Sequence, residues 1–488
     1  MNPLEKSVGL KETFNSPSSP PSYTDQEHST ATEVTGRVFI ETFGCQMNEN
    51  DSDRVRSILE ESGYREVDTP ESADLILLNT CSVRDKAEQK VYSLLGRFKP
   101  LKAKRPKLVL AVLGCVAQQE GVKLLSRIRY LDMVVGPQNI HRLGELVEGV
   151  RNGSERVVAT AQSETITEDE YSVPTRIDGF KAFVPIMRGC NNYCAYCIVP
   201  YTRGREVSRD SADLLAEIAG IAGRGVKEVT LIGQNVNSYA PVKEGEREPY
   251  IDFTGLLKEV AKVEGIERIR FITSHPKDIS AELIELIGTE AKIVPSIHLP
   301  VQSGSEEILK SMGRGYTAAE YLATVNALKA ARPGVALSSD IIVGFPGETE
   351  ADFCATMALI EEVRYDNLYS FKYSPRPGTR AALFDSQVEP SVASERLQRL
   401  QKRQREISAE KSADLKGGYV EVLVEGPSKG DAEELMGRTP CNRVVNFEQT
   451  APGLELEAGE IVKLLITDVY PNSLRGLYTV SETRPVCL

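Results

Sequence analysis

The sequence predicts a mixed α/β protein with an N-terminal parallel α/β unit, an incomplete (β/α)6 barrel and a small C-terminal β-barrel. Three features lead to this prediction: three buried strands that each end in a cysteine, six further strand–helix pairs, and a final stretch that alternates apolar and polar residues. The 488 residues exceed what one hydrophobic core usually supports, so we expect two or three domains.

Composition and charge favour some classes of protein over others. The chain has neither an apolar run long enough to cross a bilayer nor a cationic start followed by an apolar stretch. We therefore expect a cytoplasmic protein that does not associate with a membrane. Nine cysteines, an odd number, favour metal or redox chemistry over a disulfide framework in that compartment. The net charge of −12 gives no overall attraction to nucleic acid, so any RNA site must be a local basic surface.

The first predicted strands read "RVFIETFGC", "ADLILLNTC" and "KLVLAVLGC", and they end at Cys45, Cys81 and Cys115. The cysteines are 36 and 34 residues apart, about the length of one βαβ step. Because parallel strands joined by helices end at one edge of a sheet, we expect the three thiols to converge there. An isolated buried cysteine is usually only a core residue, and a zinc site completed by His141 stays an alternative to an iron–sulfur cluster with one open iron.

A longer series of strands and helices follows a polar linker. Every predicted strand of this series ends in polar or glycine-rich residues, which is typical of a site on the C-terminal face of a β/α barrel. The candidate strands are "AFVPIM", "EVTLIG", "RIRFIT", "PSIHLP", "ALSSDIIVGF" and "NLYSFKY".

The most specific motif is "RGCNNYCAYCIVPYTRGREVSR", in the loop after the first barrel strand. Cys190, Cys194 and Cys197 form the pattern CxxxCxxC, which can hold three irons of a [4Fe-4S] cluster and leave the fourth for a substrate. Zinc is the alternative, but it needs a fourth ligand, and the next thirty residues contain neither Cys nor His.

The C-terminal part begins with a helical connector that is rich in basic residues. A charge run of this kind is either a solvated helix face or a stripe that binds RNA phosphates. The later segment "YVEVLVEG" alternates in the manner of a strand and predicts a small β-barrel. The basic residues of the connector are Arg396, Arg399, Lys402, Arg403 and Arg405.

From about Gly36 to Leu488 the chain resembles the methylthiotransferase family of radical S-adenosylmethionine enzymes, whose C-terminal barrel is of the TRAM type. The resemblance rests on the two cysteine sets and on "FGCQMNENDSD", "NTCSVRDKAEQKV", "GCVAQQEG", "GPQNIHRL" and "TSHPKD". These motifs are similar to those of the branch that acts on N6-isopentenyladenosine beside the tRNA anticodon. The resemblance implies methylthiolation of C2 of that base.

The resemblance also implies cofactors and site residues. Cys190, Cys194 and Cys197 would hold the [4Fe-4S] cluster that cleaves S-adenosylmethionine, and the earlier cysteine set would hold an auxiliary [4Fe-4S] cluster that handles sulfur. Each candidate contact for S-adenosylmethionine is a weak signal by itself, because glycines after strands are most often turns. The candidate contacts are Tyr196, Gly233, Gln234, Asn235, Gln302, Asp340, Gly344 and Glu348.

The partners we expect are tRNA carrying N6-isopentenyladenosine, an external electron donor and proteins that supply sulfur or iron–sulfur clusters, and we expect a monomer. The RNA-binding candidates are Arg203, Arg205, Arg209, Arg399, Arg403 and Arg405. Competing functions are the same chemistry on threonylcarbamoyladenosine or on a protein side chain, and an RNA-binding or iron–sulfur carrier protein without turnover.

The remaining cysteines, Cys354, Cys441 and Cys487, fit no cluster pattern and are interpreted as structural or surface thiols. We therefore divide the chain into six segments. They are a disordered tail at 1–35, the methylthiotransferase domain at 36–150, a linker at 151–178, the radical S-adenosylmethionine domain at 179–395, a basic helical connector at 396–416 and the TRAM-like barrel at 417–488.

Overall fold

The structure is a computed structural model that describes residues 35–82, 85–171, 177, 179–243, 245–246, 248–428, 434–448, 456–471 and 473–478. The segment expected to be a disordered tail, apart from residue 35, and Cys487 lie outside the described residues. Within the described residues, no helix is long and apolar enough to span a membrane.

The N-terminal unit is a parallel sheet with helices on both faces, and its described strands have the order β2-β1-β3-β4-β5-β6. The central strands β3 and β4 are buried along their whole length, as their continuous apolar runs predict. Its strands are β1 (Gly36–Thr42), β2 (Tyr64–Glu66), β3 (Leu75–Thr80), β4 (Val109–Gly114), β5 (Met133–Val135) and β6 (Val157–Ala159). Its helices are α1 (Gln46–Glu61), α2 (Asp85–Lys104), α3 (Cys115–Glu120), α4 (Val122–Arg127) and α5 (Leu143–Arg151).

The barrel unit is built on two three-stranded parallel sheets, ordered β11-β10-β7 and β12-β13-β14, with a parallel bridge between Ile269 and Ile293 at their junction. Strands β8 and β9 form a separate antiparallel pair. Its strands are β7 (Lys181–Pro185), β8 (Met187–Arg188), β9 (Val207–Ser208), β10 (Glu228–Ile232), β11 (Arg268–Phe271), β12 (Ser296–His298), β13 (Ala336–Val343) and β14 (Asn367–Lys372). Its helices are α6 (Val199–Thr202), α7 (Ser211–Gly223), α8 (Phe253–Ala261), α9 (Ala281–Thr289), α10 (Glu306–Met312), α11 (Ala318–Ala331) and α12 (Glu350–Val363). The six expected strands are present, and the incomplete barrel is confirmed.

The connector is one long helix, α13 (Pro390–Ala413), which leads into a closed β-barrel. The barrel strands have the order β15-β16-β17-β19-β18, and alternate residues of β18 face its core. This confirms the small C-terminal barrel. The strands are β15 (Tyr419–Pro427), β16 (Glu434–Arg438), β17 (Val444–Glu448), β18 (Ile461–Val469) and β19 (Leu474–Tyr478).

Ion pairs fix where the C-terminal barrel lies. Arg268, the first residue of β11, bonds Glu421 of β15 at 2.6 Å, and Lys181, the first residue of β7, pairs with Glu425. Both contacts are at the N-terminal ends of the parallel strands. The C-terminal barrel therefore packs at the end of the larger barrel opposite to the cysteine loop, which follows β7 and the short strand β8.

Candidate active site

Three cysteines lie at one edge of the N-terminal sheet, each following a parallel strand. Cys45 is the N-cap of α1, Cys81 comes directly after β3, and Cys115 is the first residue of α3, directly after β4. Cys81 and Cys115 are buried and Cys45 is half-buried. Because β1, β3 and β4 are neighbours in the sheet, the fold brings the three thiols to one place.

Two asparagines hold the start of α1 against the end of β3. Asn48 donates from Nδ2 to Oδ1 of Asn79 and to the carbonyl oxygen of Thr80, both over 3.1 Å. Asn79 donates in return to the carbonyl oxygen of Asn48 over 2.8 Å. Gly44 has φ +139°, and a Cβ there would lie 2.6 Å from Cβ of Cys81. The polar end of strand β3 thus fixes the approach of the cysteine loops.

The environment of Cys45 favours its thiolate. A hydrogen bond with Cys81 lowers the pKa of Cys45 to about 6, against the opposing effect of burial and with the help of the positive charge of Arg203. The thiolate is the form that binds metals. This edge of the sheet is therefore suited to hold a metal centre.

The second cysteine set lies in the loop after β8. Gly189 has φ +76°, and a Cβ there would lie 1.9 Å from the carbonyl oxygen of Arg205, so the loop depends on glycine at this position. The amide of Cys197 donates to the carbonyl oxygen of Cys194 over 3.0 Å and tightens the turn. Burial raises the pKa of Cys190 to about 11 and that of Cys197 to about 12.

A buried arginine that the sequence did not single out contacts this loop. Arg314 donates from Nη1 to Sγ of Cys194 and to the hydroxyl of Tyr196, both over 3.4 Å. Its Nη2 donates to the carbonyl oxygen of Pro300 over 2.7 Å. The flanking glycines in "GRGY" are a turn signal, but nothing in the sequence connects Arg314 with the cysteine loop.

The donor sets fit iron–sulfur clusters. Within the described residues, no three His, Cys, Asp or Glu side chains surround a single metal-ion position. A cubane cluster has a different requirement, since each of three thiolates binds a separate iron. Buried polar atoms beside both sets have no hydrogen-bond partner in the described part of the chain, as a site for a further group requires. These atoms are Oγ of Ser82, Oε1 of Gln118 and Gln119, Nε2 of Gln234 and Oδ1 of Asn235.

Four of the S-adenosylmethionine candidates lie close to the cysteine loop. Oε1 of Gln234 accepts from the amide of Gly189 over 2.5 Å, and the amide of Asn235 lies 3.4 Å from Sδ of Met187. A Cβ at Gly233 would lie 2.8 Å from the same sulfur atom. Tyr196 is part of the loop itself. The three residues after β10 thus lie against β8 and the start of the loop.

The other candidates have different contacts. Gln302 has φ +75° and its amide donates to the carbonyl oxygen of Asp340, so strand geometry fixes both. Oε2 of Glu348 accepts from the amide of Gly344 over 2.7 Å and pairs with Arg396 of α13 at 2.8 Å. Gly344 and Glu348 thus help to anchor the connector helix through Oε2. Oε1 of Glu348 is buried without a hydrogen-bond partner among the described residues, so contacts of this pair with S-adenosylmethionine stay a prediction.

The RNA-binding candidates fall into two groups, two buried arginines and four that are more accessible. Arg203 and Arg209 are buried and bonded at 2.7 Å to Asp51 and Glu217, so the expectation that they grip phosphate is wrong. Among the others, Arg205 is exposed and lies 3.9 Å from Glu164. Arg399 pairs with Glu350 at 2.7 Å, Arg403 pairs with Glu361, Glu406 and Glu410, and Arg405 is exposed.

Cys354 is exposed, while the half-buried Cys441 donates to the carbonyl oxygen of Pro295 over 3.6 Å. These positions agree with their interpretation as surface and structural thiols.

Two histidines lie near the ends of barrel strands. His298 shares a hydrogen bond with Ser338. Burial lowers the pKa of His275 to about 2, so that its ring is neutral.

Comparisons with known proteins agree with this geometry. Residues 37–136 match the family described as "Uncharacterized protein family UPF0004", residues 184–360 match the radical SAM superfamily, and residues 414–477 match the TRAM domain. A tRNA-2-methylthio-N(6)-dimethylallyladenosine synthase of Ralstonia nicotianae is 50% identical over 455 residues, which cover 92% of this chain and 98% of that protein. The chain belongs to this synthase family.

A second member of the synthase family, from Burkholderia thailandensis, is 48% identical over 444 residues, or 91% of this chain and 97% of that protein. Among solved structures, the radical S-adenosylmethionine methyltransferase TsrM from Kitasatospora setae, with cobalamin and a [4Fe-4S] cluster bound, has a TM-score of 0.53. It is 15% identical and covers 71% of this chain and 74% of its own. That similarity shows a shared fold. The resemblance read from the cysteine motifs is confirmed.

Proposed function

We propose that this chain is a tRNA methylthiotransferase that converts N6-isopentenyladenosine beside the anticodon into its 2-methylthio derivative. The observation that carries the proposal is the pair of cysteine sets on two domains, joined by Arg203. This arginine follows Cys197 by six residues and contacts Cys115 of the other set at 3.4 Å. A domain interface of this kind suits a reaction that needs two metal centres near one substrate.

Cys190, Cys194 and Cys197 would hold the [4Fe-4S] cluster that binds S-adenosylmethionine, and Cys45, Cys81 and Cys115 would hold an auxiliary [4Fe-4S] cluster. An aromatic C–H bond has no practical acid–base route at neutral pH, so these cofactors supply the hydrogen abstraction and the sulfur when bound. The protein positions them. Arg314 orients the barrel loop, the two asparagines of the N-terminal sheet orient the other loops, and Gln234 and Asn235 offer unpaired atoms to the cofactor.

The substrate named for the relatives, a modified adenosine in tRNA, agrees with the TRAM match at the C-terminal barrel. We infer that Arg205 and the connector helix contribute cationic contacts, with Arg405 as an exposed member of the helix. We further propose that the chain acts as a cytoplasmic monomer, receives electrons from an external donor, and regains sulfur and iron from supply proteins. The six-segment division stands as part of this proposal, with the change that β6 of the linker joins the first sheet.

Nucleoside mass spectrometry of tRNA from a deletion strain tests the proposed substrate. We expect loss of 2-methylthio-N6-isopentenyladenosine, accumulation of N6-isopentenyladenosine, and unchanged 2-methylthio-threonylcarbamoyladenosine. Complementation with the wild-type gene should restore the methylthio nucleoside, and complementation with a Cys190→Ala variant should not. A strain that keeps its methylthio nucleoside, or that loses only the threonylcarbamoyl form, contradicts the proposed substrate.

A further inference from the structure

Arg203 lies between the two cysteine sets and contacts one of them directly. It belongs to the barrel, at the end of α6, yet its Nε donates to Sγ of Cys115 in the N-terminal domain over 3.4 Å. Its Nη2 donates to Oδ2 of Asp51 on α1 over 2.7 Å. One guanidinium thus bonds a cysteine of the auxiliary set and a helix that begins at another, Cys45.

The position of this side chain is fixed from several sides. Arg203 is only 6% exposed and lines a small cavity between the domains with Asp51, Arg54 and Arg188. Its backbone amide donates to the carbonyl oxygen of Val199 over 2.8 Å, and its own carbonyl oxygen accepts from Gln138 of the N-terminal domain over 3.1 Å. The barrel therefore delivers a fixed positive charge to the thiol of Cys115.

A cation that donates a hydrogen bond to a ligand sulfur changes the reduction potential of the cluster that the sulfur binds. Reduction adds negative charge to an iron–sulfur cluster, and hydrogen bonds to its sulfurs and nearby charges set the reduction potential. Groups that orient metal ligands also change metal affinity or activity about 10-fold to 100-fold when they are removed. An arginine at this distance should favour the reduced form, and Asp51 should partly oppose that effect.

We propose that Arg203 is a positioning residue that raises the reduction potential of the auxiliary cluster and makes this potential depend on docking of the barrel. The inference rests on the proposed function, because it requires a cluster on Cys45, Cys81 and Cys115. It assigns to Arg203 a role in cluster chemistry in place of the phosphate contact expected from the sequence.

The chain offers a matched control in Arg209. Like Arg203, it is 6% exposed and forms an ion pair at 2.7 Å, in this case with the half-buried Glu217. Its Nη1 donates to the carbonyl oxygen of Pro185 over 2.9 Å, and its guanidinium lies 4.2 Å from the ring centroid of Tyr171. None of its contacts among the described residues is to a cysteine. Replacing Arg209 therefore removes a buried cation from the same region without removing a bond to a cluster ligand.

The test is a redox titration, followed by electron paramagnetic resonance, of the full-length chain reconstituted with iron and sulfide. The Cys190→Ala/Cys194→Ala/Cys197→Ala background leaves only the auxiliary cluster. We expect Arg203→Met to make one-electron reduction about tenfold less favourable, which is a potential about 59 mV lower. Arg209→Met should leave the potential unchanged. Asp51→Asn, which removes the opposing negative charge, should raise it.

The potential is expected to fall in Arg203→Met and to rise in Asp51→Asn, and these opposite shifts distinguish the proposed role from general damage to the fold. Equal potentials in Arg203→Met and Arg209→Met, or an unchanged potential in Asp51→Asn, overturn the inference. If Arg203→Met holds no cluster, Asp51→Asn alone decides the outcome by the presence or absence of its positive shift. If the triple cysteine variant binds no iron, the result contradicts the proposed function and this inference with it. If it binds about four irons but its potential does not change with Arg203→Met or Asp51→Asn, the result contradicts the inference alone.

Discussion

Arg314 donates a hydrogen bond to Sγ of Cys194 over 3.4 Å, and it does so from the segment between α10 and α11, far along the chain from the cysteine loop. The same guanidinium bonds the carbonyl oxygen of Pro300, at the end of β12. Arg203 holds the corresponding position beside Cys115. Each cysteine set is thus contacted by one buried arginine, and the two arginines come from the barrel.

Replacing Arg314 by Met should slow the reductive cleavage of S-adenosylmethionine about 10-fold to 100-fold, because it removes a group that orients a cluster ligand. The measurement is the initial rate of 5′-deoxyadenosine formation with excess chemical reductant. Arg332→Met is the control, since Arg332 also donates to barrel carbonyl oxygens, those of Ile287 and Glu290, at 2.8 and 2.9 Å. Equal rates in the two variants would contradict a role for Arg314 at the cysteine loop.

Iron content tests whether the two cysteine sets hold separate clusters. Anaerobic reconstitution of the wild-type chain should give about eight irons, four for each cubane cluster. The Cys190→Ala/Cys194→Ala/Cys197→Ala and Cys45→Ala/Cys81→Ala/Cys115→Ala variants should each retain about half. Saturation of the wild type at four irons, or binding of zinc alone, would falsify the two-cluster account.

Gly44→Ala should reduce the iron held by the auxiliary set and leave that of the barrel set in place. A Cβ at this position would meet Oδ1 of Asn48 at 2.5 Å and Cβ of Cys81 at 2.6 Å, in a backbone conformation that L-residues rarely adopt. Backbone strain of this kind costs about 1–3 kcal/mol. Gly153→Ala is the control, since Gly153 also has a positive φ, +93°, but has open space around it. Equal iron contents in the two variants would show that the close approach of Gly44 to Cys81 is unimportant.

The salt dependence of tRNA binding separates the arginines of the connector helix. Arg405 is exposed, whereas Arg399 and Arg403 are paired with glutamates that would have to be displaced by phosphate. Arg405→Gln should therefore reduce the slope of log affinity against log salt by about one unit, and Arg403→Gln by less. Unchanged slopes and affinities in both variants would mean that α13 is only a solvated helix.

Much of the site could be predicted from the sequence because strand periodicity and spacing determine where loops emerge. The buried run of β3 and the similar spacings of Cys45, Cys81 and Cys115 were enough to place three thiols at one sheet edge. The three-residue strands β2, β5 and β6 were not predicted, because runs this short carry no periodic signal and are stabilised by their pairing with neighbouring strands.

The contacts of charged side chains could not be predicted in the same way. Arg203 and Arg209 follow the cysteine loop in an arginine-rich stretch that is typical of a nucleic-acid surface, yet both are buried. Arg203 contacts the N-terminal domain, and Arg209 bonds Pro185 and Glu217 of its own domain. The partner of Arg203 is Asp51, 152 residues earlier, and nothing local in the sequence connects the two. Glu348 lies in a glycine-rich loop typical of ligand binding, and nothing local in the sequence indicates that its Oε2 pairs with Arg396 of α13.

The division of labour between the two cysteine sets is tested most directly by Cys81→Ala, assayed with tRNA that carries N6-isopentenyladenosine. The measurement follows 5′-deoxyadenosine and the methylthio nucleoside in the same anaerobic reaction. We expect the variant to form 5′-deoxyadenosine and no methylthio nucleoside, because the cysteines of the barrel are intact in another domain. Methylthio nucleoside formed at the wild-type rate would contradict the account and reduce the set of Cys45, Cys81 and Cys115 to a structural role.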